Sequence, residues 1–458
     1  MWQTVRNIFS HEELRKRICF TLLLLLLCRI GAYIPVPGID GDAAAELFKA
    51  ATGGGQNLFQ LMDVFSGGAF AQMTVVALGV MPYISASIIL QLLVALIPSF
   101  QKEIKENYEF GKKKLGKWTR LLTLGLAFFQ SALFAKYALQ LHAGNSCLIV
   151  HELLETRMMG IPWLFYLIVI FTMTSGTVLL MWLGEQITEK GIGNGISLII
   201  TLGILSSLPT TIGSIIQQLN LDGQESGRLT FTTLVVLALV FVGVIVGTIL
   251  IIQGQRKVPL QYARRGSEGS EVRETRAHVP LKINYAGVIP VIFASSLLMF
   301  PATIAQFAGR GQGWFQRSVA LLMPGQWPYM AVYVFLIFFF TYFWTATQFH
   351  PEQIASDMKK SGAFIPGIRQ GKPTQDYLET TMNRITLVGA FFLATIAVFP
   401  TLVGKILHVD ATITYFFGGT SLLILVGVVL DTMKQIESHL LMKRYDGFMR
   451  YGRLRGRS

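Results

Sequence analysis

Charge is scarce in this chain: Asp, Glu, Lys and Arg make up 14% of 458 residues, against 52% hydrophobic ones. A soluble domain of this length carries about a quarter charged residues, so the composition excludes that class. Cysteine is nearly absent, with three residues. Cys19 and Cys28 fall in the first apolar run and Cys147 in a loop, which leaves no disulfide framework and no metal spacing. Ionisable groups are rare inside the apolar runs. Only Arg29 lies well inside one, with Glu185 and Asp431 at the edges. Ion-coupled transporters usually place such groups at membrane depth, so their lack weighs against ion coupling. The seven histidines lie in loops or near run ends, and no His or Glu stands beside a Ser in a nucleophile motif. Gly191-Ile-Gly-Asn-Gly195 has no soluble strand before it and no Lys-Ser/Thr ending, so it reads as a tight turn rather than a phosphate loop. No catalytic residue, metal ligand or cofactor is expected.

Long apolar runs are abundant instead, and mean hydropathy is +0.51. A hydrocarbon layer ~30 Å thick needs roughly 20 apolar residues per helix. Ten runs qualify, at 18–35, 75–97, 118–140, 161–183, 195–216, 231–252, 285–307, 328–348, 385–403 and 413–430. The basic first 17 residues lead into an apolar run with no small-residue cleavage pattern, so the first run reads as a retained span. If both ends share one side, that side carries 31 of the 39 Lys and Arg, and the opposite side carries seven. The asymmetry puts both termini in the cytoplasm. Arg29 lies eleven residues beyond Ile18, about 16 Å along a helix, within reach of the outer interface by snorkelling.

Two features point to function. Between Phe59 and Leu93 a short apolar piece breaks at Ser66-Gly67-Gly68 and leads into a run carrying Pro82, Ser85, Ser87 and Gln91. Broken backbone at membrane depth survives only where protein buries it or water lines it, which predicts a pore or cavity. The cytoplasmic loops 253–284 and 349–384 are also long and basic, where helix connections usually take 2 to 8 residues. Such loops suit docking of a large acidic partner, ribosomal RNA or protein. Val80 and Ile84, and likewise Ile196 and Ile200, are four apart and share a helix face. A secondary transporter of a small solute stays open as the alternative, since broken helices also mark substrate sites in that class.

Six runs carry a resemblance. They are Phe65-Ser-Gly-Gly-Ala69, Leu78-Gly-Val-Met-Pro-Tyr-Ile-Ser-Ala-Ser-Ile-Ile89, Trp182-Leu-Gly-Glu-Gln-Ile-Thr-Glu-Lys-Gly-Ile-Gly-Asn-Gly-Ile-Ser197, Ala286-Gly-Val-Ile-Pro-Val-Ile-Phe-Ala-Ser-Ser296, Lys360-Ser-Gly-Ala-Phe-Ile-Pro-Gly-Ile-Arg369 and Phe417-Gly-Gly-Thr-Ser-Leu-Leu-Ile424. In this order the chain resembles bacterial SecY, the family of pore subunits of the general protein-translocation channel, over nearly its whole length.

The resemblance implies an all-α polytopic membrane protein with ten transmembrane helices. They would form two inverted five-helix halves, 18–218 and 219–432, around an hourglass pore. A cytoplasmic arm, 1–17, and a basic tail, 433–458, would flank them. It further implies a plug over 58–74, including Phe65, Ser66, Gly67 and Gly68, weakly held through the flexible Gly67-Gly68 backbone. The pore ring would be Val80, Ile84, Ile196, Ile200, Ile292 and Ile424, with Val80 where isoleucine is common. A lateral gate would open between the second and third spans and the seventh and eighth, lined by Ser85, Gln91, Gln130 and Phe300.

Arg256, Lys257, Arg264, Arg265 and Arg369 would dock a motor or the ribosome. Here the chain departs from the family pattern, because Glu268, Glu271 and Glu274 dilute the basic loop tip 266–276. The implied partners are SecE and SecG-like subunits, the SecA ATPase, the ribosome, signal peptides and nascent chains, and the lipid bilayer. The implied location is the bacterial inner membrane. The implied role is conduction of unfolded polypeptides across it and lateral release of transmembrane segments, without enzymatic activity.

Overall fold

The computed structural model describes residues 12–52, 58–97, 108–142, 148–150, 157–158, 161–218, 231–262, 277–307, 326–407, 409, 413–414 and 417–451. Cys147, Arg264, Arg265 and the loop tip 266–276 lie outside the described residues.

In hydrocarbon a backbone N–H finds no partner except a carbonyl of its own chain, so the apolar runs become helices. Every one of the ten runs carries one. In chain order the helices are α1 (Glu12–Gly31), α2 (Gly41–Thr52), α3 (Leu58–Ser66), α4 (Met81–Leu96), α5 (Tyr108–His142), α6 (Trp163–Lys190), α7 (Gly195–Ser206), α8 (Leu208–Gln218), α9 (Phe231–Gln253), α10 (Ile289–Phe307), α11 (Trp327–Gln348), α12 (Pro351–Lys360), α13 (Lys372–Ile406) and α14 (Gly419–Tyr451). Among the described residues seven stretches are long and apolar enough to cross a membrane, while α4 and the apolar part of α10 are shorter.

Three differences from the sequence expectation have local causes. The second run was expected to be helical from residue 75, yet α4 begins at Met81, with Pro82 in its first turn. Proline lacks the N–H that an interior helical position needs but suits a helix start. Before it, Gly79 takes the left-handed φ of 58° and turns the chain. The irregular stretch is buried at Val76, Ala77, Leu78 and Val80, as broken backbone at this depth requires. The fifth run splits into α7 and α8 around Ser207, with Pro209 opening the second piece. The ends of α5, α13 and α14 run well past their apolar cores, because hydropathy marks the membrane-buried part of a helix and not its polar continuation.

The long loops hold an addition to the helical architecture. Apart from the short antiparallel pair β1 (Arg157–Met158) and β2 (Ile161–Pro162), strand β3 (Gln255–Tyr262) pairs antiparallel with β4 (Ala277–Lys282), and also with the two-residue β5 (Ala363–Phe364), Gln261 opposite Phe364. The two loops therefore form one platform. Its own small core joins Val258, Leu260 and Leu281 to Phe349, Met358, Ile365 and Leu378.

Inside the bundle one apolar cluster contains Val80, Ile84, Ile200, Ile292 and Ile424, with Ile196 packed against it. A second, on the far side, gathers Phe48, Met62, Phe70, Phe134, Phe165 and Met173.

Candidate functional site

A funnel of about 1060 Å³ opens where α4 and α6 end and α5 begins. Its mouth is polar, lined by Lys113, Lys117 and Arg120 of α5 and by Glu185 and Glu189 of α6. Its floor is aliphatic, with Ile84 of α4, Ile196 and Ile200 of α7, and Ile292 of α10. Ile84, Ile200 and Ile292 also line a second space of about 20 Å³, bounded on its other side by Met62, Phe65 and Ser66 of α3. That volume is about the room one water needs. Three isoleucines thus separate a wide wet funnel from a space that α3 almost fills. Val80 lines only the α3 side. Ile424 borders neither space; it is fully buried behind the others in the shared cluster.

Helix α3 and the turns after it close the funnel from below. Gly67 follows the last turn of α3 in the left-handed conformation, φ 68°, and its N–H donates to the Val64 carbonyl. Gly68 N donates to Asp63 O at 3.0 Å, and Ala71 N to the Asp63 carboxylate at 2.8 Å. Ser66 Oγ accepts from Phe70 N. Phe70 is buried between Phe59, Phe48 and Phe134, with ring centroids 5.5, 5.9 and 5.2 Å away. A Cβ on Gly203 of α7 would collide with the Phe65 carbonyl. The segment was expected to be weakly held through its glycines. It is instead packed closely and self-bonded, because the glycines permit near contact of two backbones as well as flexibility.

Arg29 also departs from expectation. Its guanidinium does not seek the interface. Nη1 donates to Gly67 O at 2.8 Å and Nη2 to Tyr33 Oη at 3.0 Å, while its carbon stands 4.6 Å from the Tyr33 ring centroid.

The four expected gate residues divide. Gln91 lines the funnel, whereas Ser85, Gln130 and Phe300 do not. All four sit on α4, α5 and α10, and α10 packs against both others and against α11. Gln91 Nε2 donates to Ser87 Oγ at 2.9 Å. Gln91 Oε1, and Ser296 Oγ of α10, are buried without a hydrogen-bond partner among the described atoms.

On the platform Arg256, Lys257 and Arg369 are exposed. Arg369 follows Gly367, which is left-handed at φ 83°, and its carbonyl accepts from Thr374 Oγ1 at 2.8 Å. The Gly191–Gly195 turn has its donors engaged: Ile192 N on Thr21 Oγ1, Gly193 N on Gln435 Oε1 and Gly195 N on Thr188 Oγ1. That excludes a phosphate cradle there. Sequence reasoning missed Lys113, Lys117 and Glu189, although the 113, 117, 120 spacing already puts three cations on one helix face.

The sequence profile of the SecY family matches residues 74–433. A protein translocase subunit SecY of Chlamydia trachomatis is 59% identical over 454 residues, 99% of each chain. The Escherichia coli protein of that name is 40% identical over 447 residues, covering 97% of this chain and 96% of its own. Among solved structures, one described as a protein conducting channel superposes with a TM-score of 0.60 at 19% identity, over 96% of this chain and 94% of the other. Sec61 in a canine ribosome-channel complex gives 0.60 at 18% identity, with the same coverage. These relatives are translocase subunits and protein-conducting channels, not solute transporters. A funnel that narrows to isoleucine above a short buried helix, on a sequence so close to theirs, settles the affiliation: the chain belongs to the SecY family.

Proposed function

We propose that this chain is the channel subunit that conducts unfolded polypeptides across a bacterial cytoplasmic membrane and releases apolar segments sideways into lipid. The observation that carries this is the layer of Ile84, Ile200 and Ile292 between the wide funnel and the water-sized space over α3. A polypeptide in transit presents every side-chain type, so its constriction must bind none of them strongly. Branched aliphatics fit around an extended chain, and when the constriction is empty they exclude water and ions by dewetting. Charges at the same place would trap segments of opposite sign.

Val80, Ile84, Ile196, Ile200 and Ile292 form this ring, with Ile424 backing it, and residues 58–74 are the plug. The gate lies where α10 meets α4 and α5. The orphaned Gln91 and Ser296 oxygens support this, since an unpaired buried polar atom costs about 1–3 kcal/mol and regains partners when helices part. Arg256, Lys257 and Arg369 on the platform dock the cytoplasmic partner, a SecA-type motor or the ribosome, and SecE and SecG-like subunits complete the assembly. With the platform cytoplasmic, both termini are cytoplasmic.

The test is reconstitution in liposomes with the companion subunits. Entry of a secretory precursor that requires the motor and ATP supports the proposal. Saturable uptake of a small solute on an ion gradient, without precursor entry, overturns it.

A further inference from the structure

We propose that Arg29 is the latch of the resting channel, a positioning residue on α1 that holds the plug shut through the Gly67 carbonyl. The latch presupposes that residues 58–74 are the plug.

The chemistry at this contact is specific. Gly67 stands just past the C-terminal end of α3, where helix carbonyls have run out of intrahelical donors and carry partial negative charge. The first N–H groups after the helix bond back to Val64 and Asp63, which satisfies carbonyls inside it but not that of Gly67. A guanidinium is the best available donor for that oxygen, since it stays charged and its planar fork serves several acceptors at once. Arg29 uses the fork in this way, with one arm on Gly67 and the other on Tyr33 Oη, its central carbon 4.6 Å from the Tyr33 ring centroid. Tyr33 lies four residues on, so it fixes the aim of the side chain from the same stretch of chain.

Gly67 also lies close against the backbone of α7. A Cβ there would stand 2.9 Å from the Gly203 carbonyl oxygen and 3.1 Å from Arg29 Nη1. The plug's exit from α3 is therefore gripped between α7 and α1. Moving the plug outward must break the Arg29 bond, and the lost partner is a half-buried charge. A hydrogen bond to a charged group contributes enough to change an equilibrium by roughly tenfold or more.

The experiment measures resting ion conductance of the assembled channel in planar bilayers, for the intact chain and for a variant lacking residues 60–72. In the intact channel Arg29→Gln is expected to raise the resting open probability about tenfold, and Arg29→Lys, which keeps charge but loses the fork, to raise it less. In the plug-deleted channel neither substitution is expected to add to the leak. Three results would overturn the latch. The first is unchanged conductance for Arg29→Gln while plug deletion does leak. The second is an equal increase in both backgrounds, which would mean that α1 packing had failed. The third is equal leak for Gln and Lys variants. Plug deletion without any leak would sink the plug assignment itself, a separate outcome. If the Gln variant fails to assemble, the Lys variant, compared in the two backgrounds, gives the same decision.

Discussion

Arg120 and Glu185 tie α5 to α6 by two near-parallel contacts, Nε to Oε1 at 2.9 Å and Nη2 to Oε2 at 2.8 Å. The pair lies in the wall of the funnel mouth, with the arginine side chain 53% and the glutamate 21% exposed. Bidentate geometry is the strong form of an ion pair, but water around the arginine screens it. Glu185→Gln is therefore expected to lower stability by no more than about 1 kcal/mol. Thermal unfolding in detergent checks this, and a shift of more than several degrees would show that the pair carries more than a surface ion pair.

Gly203 offers a test of how α3 is seated that leaves charge untouched. Alanine there drives a methyl into the Phe65 carbonyl. Overpacking of this kind costs roughly 1–3 kcal/mol, and moving α3 away from α7 relieves it. Gly203→Ala is expected to raise resting ion conductance about tenfold. Conductance equal to the parent channel would mean that α3 tolerates the shift without opening.

Ile292 and Ile424 belong to one apolar cluster but should respond differently to asparagine. Ile292 faces both spaces, so Ile292→Asn wets the constriction, raises leak and relaxes signal-sequence discrimination, with little loss of fold. Ile424 is fully buried and borders neither space. An amide there loses apolar burial and finds no partner, at about 2–4 kcal/mol. Ile424→Asn is expected to lower the unfolding temperature first. Leak without loss of stability in Ile424→Asn would place that residue in the ring itself.

Arg369 is exposed, and its fold contact is made by its carbonyl, which substitution keeps. Arg369→Glu should change stability by less than about 0.5 kcal/mol while slowing ATP-driven precursor translocation at least severalfold. Export at the parent rate would remove this residue from the docking surface.

How legible the molecule was in its sequence differed from feature to feature. Each of the ten apolar runs carries helix, the fifth as two pieces, and the broken stretch after Phe59 pointed straight to the interior. The limits of α4 were misjudged because hydropathy does not register that Pro82 begins a helix. The loops 253–284 and 349–384 were seen as long and basic but not as a sheet. Strand β5 has two residues and pairs with a strand about a hundred positions earlier, which leaves no periodic trace.

The positions of the apolar helices and the membrane as solvent came from the chain alone. Each is decided locally, since a helix in hydrocarbon satisfies its own backbone. Packing decided what no single run encodes. It set three isoleucines from three helices in one layer and left Ile424 behind them. It also turned Arg29 from the membrane surface toward a carbonyl 38 residues away. Those outcomes depend on which helix faces meet, and the meeting is a property of the bundle as a whole.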